Sequence, residues 1–275
     1  MTPANAPAPL DVSSADAAAA LSRESGHSGE LAKHKLELRL FPVFDLRKRL
    51  ASTLFCVPIR TETGGGLKLG HWLVESLAEP DAAAVDLELL KIAIDYAKRF
   101  EGSSATAAVG TSVSFATLIN VRHRKDYVAA LNAVILPPTN PLVIQIESLP
   151  SGTPMARIAD TINQVGQSAN HVLMTIPASA TGDLMWKMGA LGATGIGINL
   201  MGREDDGTVA RMARSLMGLC RSQSALGYMN MLTTAAAVDA AAAYGVRFGT
   251  GPALSLTTFL RDGPLPRIPV TARKP

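Results

Sequence analysis

The chain has few cysteines and no long hydrophobic run. Its two cysteines, Cys56 and Cys220, lie among apolar neighbours and are spaced neither as a metal-binding pair nor as a disulfide framework. This usage is typical of a reducing compartment. No apolar run reaches the roughly 18 residues that a bilayer crossing needs, and the N-terminus lacks a basic segment before an apolar core. We therefore expect a cytoplasmic protein without membrane contact.

Basic clusters and metal-ligand spacings are also scarce. The formal charge is +3, and the notable basic clusters are the short runs at 47–49 and 122–125. Because solvated loops and helices carry such runs, no nucleic-acid partner is predicted. The five histidines are scattered, and none is expected to pair with a second ligand type four residues away. The sequence therefore predicts neither a zinc site nor a cofactor.

Short apolar segments recur along the chain, about one β/α unit apart. Strands are predicted at 142–146, 171–176, 195–198, 225–229 and 246–248, with a short strand at 105–109 and an opening β-hairpin at 36–44 and 51–61. Helices are predicted at 80–100, 124–136, 154–168, 181–191, 205–221 and 233–243. This rhythm predicts an α/β fold over residues 30–260, either a parallel sheet or a TIM-like (β/α) barrel. Residues 1–29 are predicted to be a disordered leader, and 261–275 a Pro-rich tail.

The predicted strand ends carry almost no acidic residues. In such barrels the chemistry lies at the C-terminal ends of the strands. The side chains expected there are neutral: Gln145, Thr175, Ile176, Asn199 and Met229. Glu147 is the acidic residue left near a strand end, either as a ligand-binding group or as a cap for the helix start at 152–154. The fold is typical of an enzyme, whereas the predicted site is not.

Four segments resemble one known family. They are Phe41-Pro-Val-Phe-Asp-Leu46, Leu87-Glu-Leu-Leu90, Leu142-Val-Ile-Gln-Ile-Glu147 and Tyr244-Gly-Val-Arg-Phe-Gly-Thr-Gly-Pro252. In this order they resemble the EAL domain family, the barrel that hydrolyses the bacterial second messenger cyclic di-GMP. The resemblance covers roughly residues 35 to 255 and implies a barrel of EAL type.

The resemblance also implies where catalytic residues would lie. That chemistry needs divalent metal held by several carboxylates. Cys56 stands in place of the first metal carboxylate, while Arg60 matches the arginine of the same motif. The other positions matched to family site residues are Gly110, Gln145, Thr175, Gly197, Asn199 and Met229. Since these residues supply no acidic set, the resemblance implies a protein that is not an enzyme and holds no metal.

Three functions remain open from the sequence. The preferred hypothesis is a catalytically inactive, EAL-like regulatory or scaffolding protein that acts through protein contacts in bacterial signalling. Met229 and Met231 would then make the mouth of the barrel apolar, filled or suited to docking. A homodimer is a further candidate assembly, since the family often dimerises.

The alternatives place a ligand in the barrel. A non-hydrolysing cyclic di-GMP receptor would use Arg60, Arg247 and Glu147, because phosphates need Arg or Lys. Arg60 would otherwise pair with a neighbour such as Glu62. An enzyme of unrelated specificity would gather Ser112, Glu147 and His171 around a cavity. A basic open mouth would favour the receptor, and a plugged apolar mouth the scaffold.

Overall fold

The computed structural model describes residues 29–48, 50–61, 67–99, 108–134, 141–150, 152–177, 192–200, 202 and 204–254. The strands are β1 (Glu37–Asp45), β2 (Leu50–Thr61), β3 (Leu67–Leu69), β4 (Ala108–Ser114), β5 (Leu142–Glu147), β6 (His171–Pro177), β7 (Gly195–Asn199), β8 (Leu226–Asn230) and β9 (Phe248–Gly249). The helices are α1 (Glu30–Lys33), α2 (Trp72–Glu75), α3 (Glu79–Arg99), α4 (Phe115–Ile119), α5 (Val121–Asn132), α6 (Met155–Gly166), α7 (Asp206–Gln223) and α8 (Ala235–Tyr244), followed by a 3-10 turn at Pro252–Leu254.

The strands close into a barrel. β1 pairs antiparallel with β2 on one side and with β9 on the other. From β2 the sheet continues in parallel through β4, β5, β6, β7, β8 and β9, so that eight strands form a closed ring. β3 adds to the outer edge of β2. The predicted (β/α) barrel and its opening hairpin are therefore confirmed.

Several predicted elements differ from the structure or lie outside it. The strand expected at 105–109 is β4, which runs on to Ser114, because its polar second half is buried. The helix expected from residue 124 begins at Val121, where the Asn120 side chain accepts hydrogen bonds from two backbone amides. The helix expected at 181–191, the leader up to residue 28 and the tail from 261 lie outside the described residues. None of the described helices combines the length and apolar character that a membrane crossing requires.

Two apolar layers flank the barrel wall. The larger layer lies between strands and helices and includes Ile144 and Ile146 of β5 with Leu89 of α3. The smaller layer consists of Phe55, Ala108 and Val143, with Val43, Val57 and Leu173 packed against them. Because successive side chains of a strand point to opposite faces, the smaller set marks the inner face of the barrel. Each strand's inward residues can be identified from it.

Candidate functional site at the barrel mouth

Polar side chains gather at one end of the barrel, where the parallel strands finish. Counting in steps of two from the inner apolar layer leads to Ser112 on β4 and to Gln145 and Glu147 on β5. Asn199 ends β7 and Asn230 ends β8, and the two are register partners. Glu147, Asn199 and Asn230 are partly exposed. We call this end the mouth.

Glu147 lies at the centre of a hydrogen-bond network across the mouth. Its Oε1 accepts from Ser112 Oγ at 2.7 Å and from Gln145 Nε2 at 2.9 Å. Its Oε2 accepts from Asn199 Nδ2 at 3.1 Å. Three neutral donors from three strands thus hold one partly buried carboxylate, which offsets much of the cost of its desolvation.

The network continues around the ring beyond Asn199. Asn230 Nδ2 donates to Asn199 Oδ1 at 2.6 Å, and Thr250 Oγ1 donates to Asn230 Oδ1 at 3.1 Å. The polar chain therefore runs from β4 through β5, β7 and β8 to the residue after β9. Such a connected chain of donors and acceptors presents amide and hydroxyl groups to a ligand in fixed positions.

Aromatic rings fill the barrel below the mouth. A Cβ added at Gly110 would lie 2.3 Å from the Phe55 ring, and one added at Gly197 would lie 2.2 Å from the Tyr228 ring. Tyr228 and Thr175 share a buried hydrogen bond between their hydroxyl groups. Burial raises the pKa of Tyr228 well above its ordinary value, so its hydroxyl stays neutral. Gly110 and Gly197 provide the space that these rings occupy.

β1 contributes residues that the sequence analysis did not single out. Val43 packs in the inner layer, and the pairing of β1 with β2 stays regular from Val43 back to Glu37, so Phe41, Arg39 and Glu37 share its inner face. Because β1 runs antiparallel to its neighbours, its first residues lie at the mouth. Arg39 is exposed there and Phe41 is half-buried. The sequence signal for the inner face was the alternation of Leu36 and Leu38, which are buried, with the charged residues Glu37 and Arg39.

Two arginines predicted to bind ligand lie elsewhere. Arg60 Nη2 donates to the His34 carbonyl at 3.3 Å, beside α1. Its alternative partner, Glu62, lies outside the described residues. Arg247 Nη2 forms an ion pair with Asp45 Oδ2 at 2.7 Å. Asp45 ends β1 and Arg247 precedes β9, so this pair lies at the end of the barrel opposite the mouth.

Two other matched positions face outward. Cys56 belongs to the layer between strands and helices, and burial raises the pKa of its thiol far above the ordinary value. Met229 is fully buried in the same layer. On the inner face, Val57 is the neighbour of Cys56, and Tyr228 and Asn230 are the neighbours of Met229. The expectation that Met229 makes the mouth apolar is therefore wrong, whereas Met231, which follows β8 at the mouth end, is an exposed apolar side chain.

The remaining predicted groups also separate. α6 begins after Pro154 without a side-chain cap, so Glu147 does not serve as the expected cap. Ser112 and Glu147 bond to each other, but His171 begins β6, opposite Val143, at the far end of the barrel. The trio expected for an unrelated enzyme is not brought together. Within the described ranges, no three acidic, histidine or cysteine side chains converge at the mouth to hold a metal.

Solved structures similar to this chain include EAL domains. An EAL domain protein from Listeria monocytogenes EGD-e aligns with a TM-score of 0.62 and 11% identity over 82% of this chain and 90% of that one. The FimX EAL domain from Pseudomonas aeruginosa, bound to c-di-GMP, aligns with a TM-score of 0.58 and 16% identity over 86% of this chain and 94% of that one. The Bacillus subtilis YkuI protein, in complex with substrate c-di-GMP and calcium, aligns with a TM-score of 0.62 and 12% identity over 88% of this chain and 59% of that one.

These similarities establish an EAL-type fold for the chain. No protein-family model matches the sequence, and no curated protein does.

Proposed function

We propose that this EAL-type barrel acts in signalling by binding cyclic di-GMP at its mouth without cleaving it. The observation that carries the proposal is the polar network around Glu147, which lies where the strands of such a barrel end. Two neighbours of the same fold are described as complexes with this dinucleotide. The polar side chains at the mouth differ from the apolar plug expected of a pure scaffold, and Arg39 supplies one of the basic groups expected of a receptor.

The proposal that the ligand is not cleaved depends on which metal ligands the mouth can supply. Hydrolysis of a phosphodiester by metal-activated water needs hard cations, which take several oxygen ligands. Glu147 already accepts from three neutral donors, and no acidic cluster converges with it among the described residues. One carboxylate does not make a divalent metal site. The residues at this mouth are suited to recognition.

The ligand offers groups that match the residues present. Each guanine edge carries N–H donors, which pair with carboxylate and amide oxygens such as those of Glu147 and Asn199. Each phosphate needs a cation, and Arg39 is an exposed guanidinium on the inner face of β1. Phe41, on the same face, provides an apolar surface against which a base can stack.

Calorimetric titration with cyclic di-GMP tests this proposal. The full chain is expected to bind at micromolar or tighter affinity, equally with and without Mg²⁺, and to release no hydrolysed product. Arg39→Ala should weaken binding by about tenfold or more, because a phosphate loses its charge partner. Arg60→Ala is the matched control, since that guanidinium lies against the His34 carbonyl and should leave affinity unchanged.

Two results would reject the receptor proposal. One is a titration without heat at high protein concentration. The other is binding that Arg60→Ala abolishes while Arg39→Ala leaves it intact, because the ligand would then lie outside the mouth. Accumulation of a linear dinucleotide would separately contradict the absence of catalysis.

A regulatory or scaffolding role through protein contacts is the second candidate. Trp72 of α2 is 49% exposed and Val121 of α5 is 70% exposed, and large exposed apolar side chains are frequent anchors of protein interfaces. If the dinucleotide does not bind, a partner captured by the natural chain should be lost with Trp72→Ser. Retention of that partner by Trp72→Ser and by Val121→Ser would exclude these two anchors.

A further inference from the structure

Three side chains of different chemistry meet outside the barrel, where α1 packs against α3. Glu30 and His34 are four residues apart, at the start and just past the end of α1, and Asp81 lies in the first turn of α3. His34 Nε2 is 3.8 Å from Glu30 Oε2 and 3.6 Å from Asp81 Oδ1. All three ligand atoms lie within 4.8 Å of one another. We call these residues the clasp.

The spacing of the clasp fits a tetrahedral metal. Zn²⁺ bonds to nitrogen and oxygen are about 2.0–2.1 Å long, so neighbouring ligand atoms in a tetrahedron are about 3.3 Å apart. The two distances from His34 Nε2 exceed that separation by only a few tenths of an ångström. Small rotations of the two partly exposed carboxylates close such a difference, because their terminal torsions are soft.

A cation already occupies the carboxylate side of the clasp. Lys33 Nζ lies 2.7 Å from Asp81 Oδ1 and 3.1 Å from Glu30 Oε2. The hydrogen bond to Lys33 lowers the pKa of Asp81, and the reciprocal bond raises the pKa of Lys33. Two carboxylates face one ammonium, which leaves a net negative charge that favours a dication.

The histidine side of the clasp is mostly buried, and its ring nitrogen Nε2 has no close hydrogen bond to a described residue. His34 Nε2 is inaccessible to solvent and makes no hydrogen bond within the described part of the chain, although it faces both carboxylates. A buried polar atom that lacks a close hydrogen bond is costly in a folded protein. A metal at the centre of the clasp would accept the imidazole lone pair and remove that cost.

The clasp is held on a fixed platform. Leu31 is fully buried, and its amide donates to Glu88 Oε2 of α3 at 2.8 Å. The His34 carbonyl accepts from Arg60 of β2 at 3.3 Å. α1 is thus tied to α3 and to the barrel wall independently of the clasp, so the ligands are arranged before a metal binds.

We propose that Glu30, His34 and Asp81 form a zinc-binding site that fastens α1 to α3. The expectation that no histidine pairs with a second ligand type four residues away is wrong at Glu30 and His34, which share one face of a helical turn. Asp81 could not be assigned to them from the sequence, since the fold alone brings α3 to α1. The fourth ligand position is left to water, and Lys33 is displaced when the metal enters.

Titration of the full chain with Zn²⁺ tests the clasp. One ion per chain is expected to bind, to raise the melting temperature, and to be replaced by Co²⁺ with the visible absorption of a tetrahedral site. His34→Gln should weaken binding by more than about tenfold, since even outer-sphere losses cost about 10–100-fold. Lys33→Gln should tighten binding, because the competing ammonium is gone.

His123→Gln is the matched control. His123 is likewise a partly buried histidine beside a carboxylate, with Nε2 3.9 Å from Glu79 Oε1, but among the described residues it lacks a third ligand. Binding that survives His34→Gln, or that is lost equally with His123→Gln, would overturn the proposal. So would binding that appears only in Lys33→Gln, since the natural chain would then not be a zinc protein.

Discussion

The barrel interior at Gly197 allows a test in which the sign of a stability change reports the packing. Gly197 does not have the positive φ that favours glycine. If space were available, replacement by Ala would therefore stabilise the fold by about 0.4–1 kcal/mol, because it lowers the conformational entropy of the unfolded chain. A Cβ there would lie 2.2 Å from the Tyr228 ring. That ring is buried, and its hydroxyl bonds to Thr175, so it cannot move aside freely. We expect Gly197→Ala to destabilise by about 1–3 kcal/mol.

Urea unfolding of two companion variants makes the test specific. Gly218 lies on α7 with nothing within 4 Å of an added Cβ, so Gly218→Ala should stabilise by about 0.5–1 kcal/mol. Tyr228→Leu removes the outer part of the ring. Combined with Gly197→Ala, it should show a favourable coupling energy of about 0.5–3 kcal/mol, as expected for residues in contact.

A stabilising Gly197→Ala would refute the packing argument. If it raised the free energy of unfolding as Gly218→Ala does, the ring could not be filling the space beside Gly197. A null coupling with Tyr228→Leu would lead to the same conclusion. The outcome bears on function, because Gly197 is one of the positions matched to family site residues, and a position closed by Tyr228 has no room for a longer side chain.

Three further predictions concern buried polar groups. Burial raises the pKa of Asp86, so the stability that its protonated carboxyl contributes is complete below the unfolded pKa of about 4 and is lost as pH rises through the folded pKa. Asp86→Asn should therefore gain stability relative to the natural chain as pH rises. A difference in unfolding free energy between the two proteins that stays constant with pH would contradict this. Ser112→Ala should lower the free energy of unfolding by about 1 kcal/mol in urea, because Glu147 loses a donor. Burial raises the pKa of Cys220 to about 11 and that of Cys56 further, so a disulfide reagent should label neither thiol until the chain unfolds.

The β/α units could be predicted because their signal repeats along the chain, whereas the barrel followed from the family resemblance. Apolar strands of the parallel part are buried on both faces, and helix-length segments separate them at a regular interval, so each unit supports the next. The predicted strand at 105–109 stops short of the end of β4 at Ser114, because Thr111, Ser112 and Ser114 are polar although buried. β3 was missed because three residues beside a glycine run carry too short a pattern.

The site was predictable only in part, because a one-residue error exchanges the two faces of a strand. Gln145 and Asn199 were assigned to the mouth and face it. Cys56 and Met229 were placed one residue from Val57 and Tyr228, which hold the inner face. Arg39 was missed, since only closure of the ring brings the start of the antiparallel strand to the mouth.

The hydrogen bonds of Glu147 indicate how a ligand would enter the network. A carboxylate has about four acceptor positions. Oε1 uses two of them for Ser112 and Gln145, whereas Oε2 uses one for Asn199. Among the described residues one position on Oε2 is therefore left for a ligand donor, and a guanine N–H group can take it without breaking any of these bonds. A divalent metal, by contrast, needs several oxygen ligands, and the described residues bring no cluster of carboxylates together at the mouth, so this arrangement favours an organic ligand over an ion.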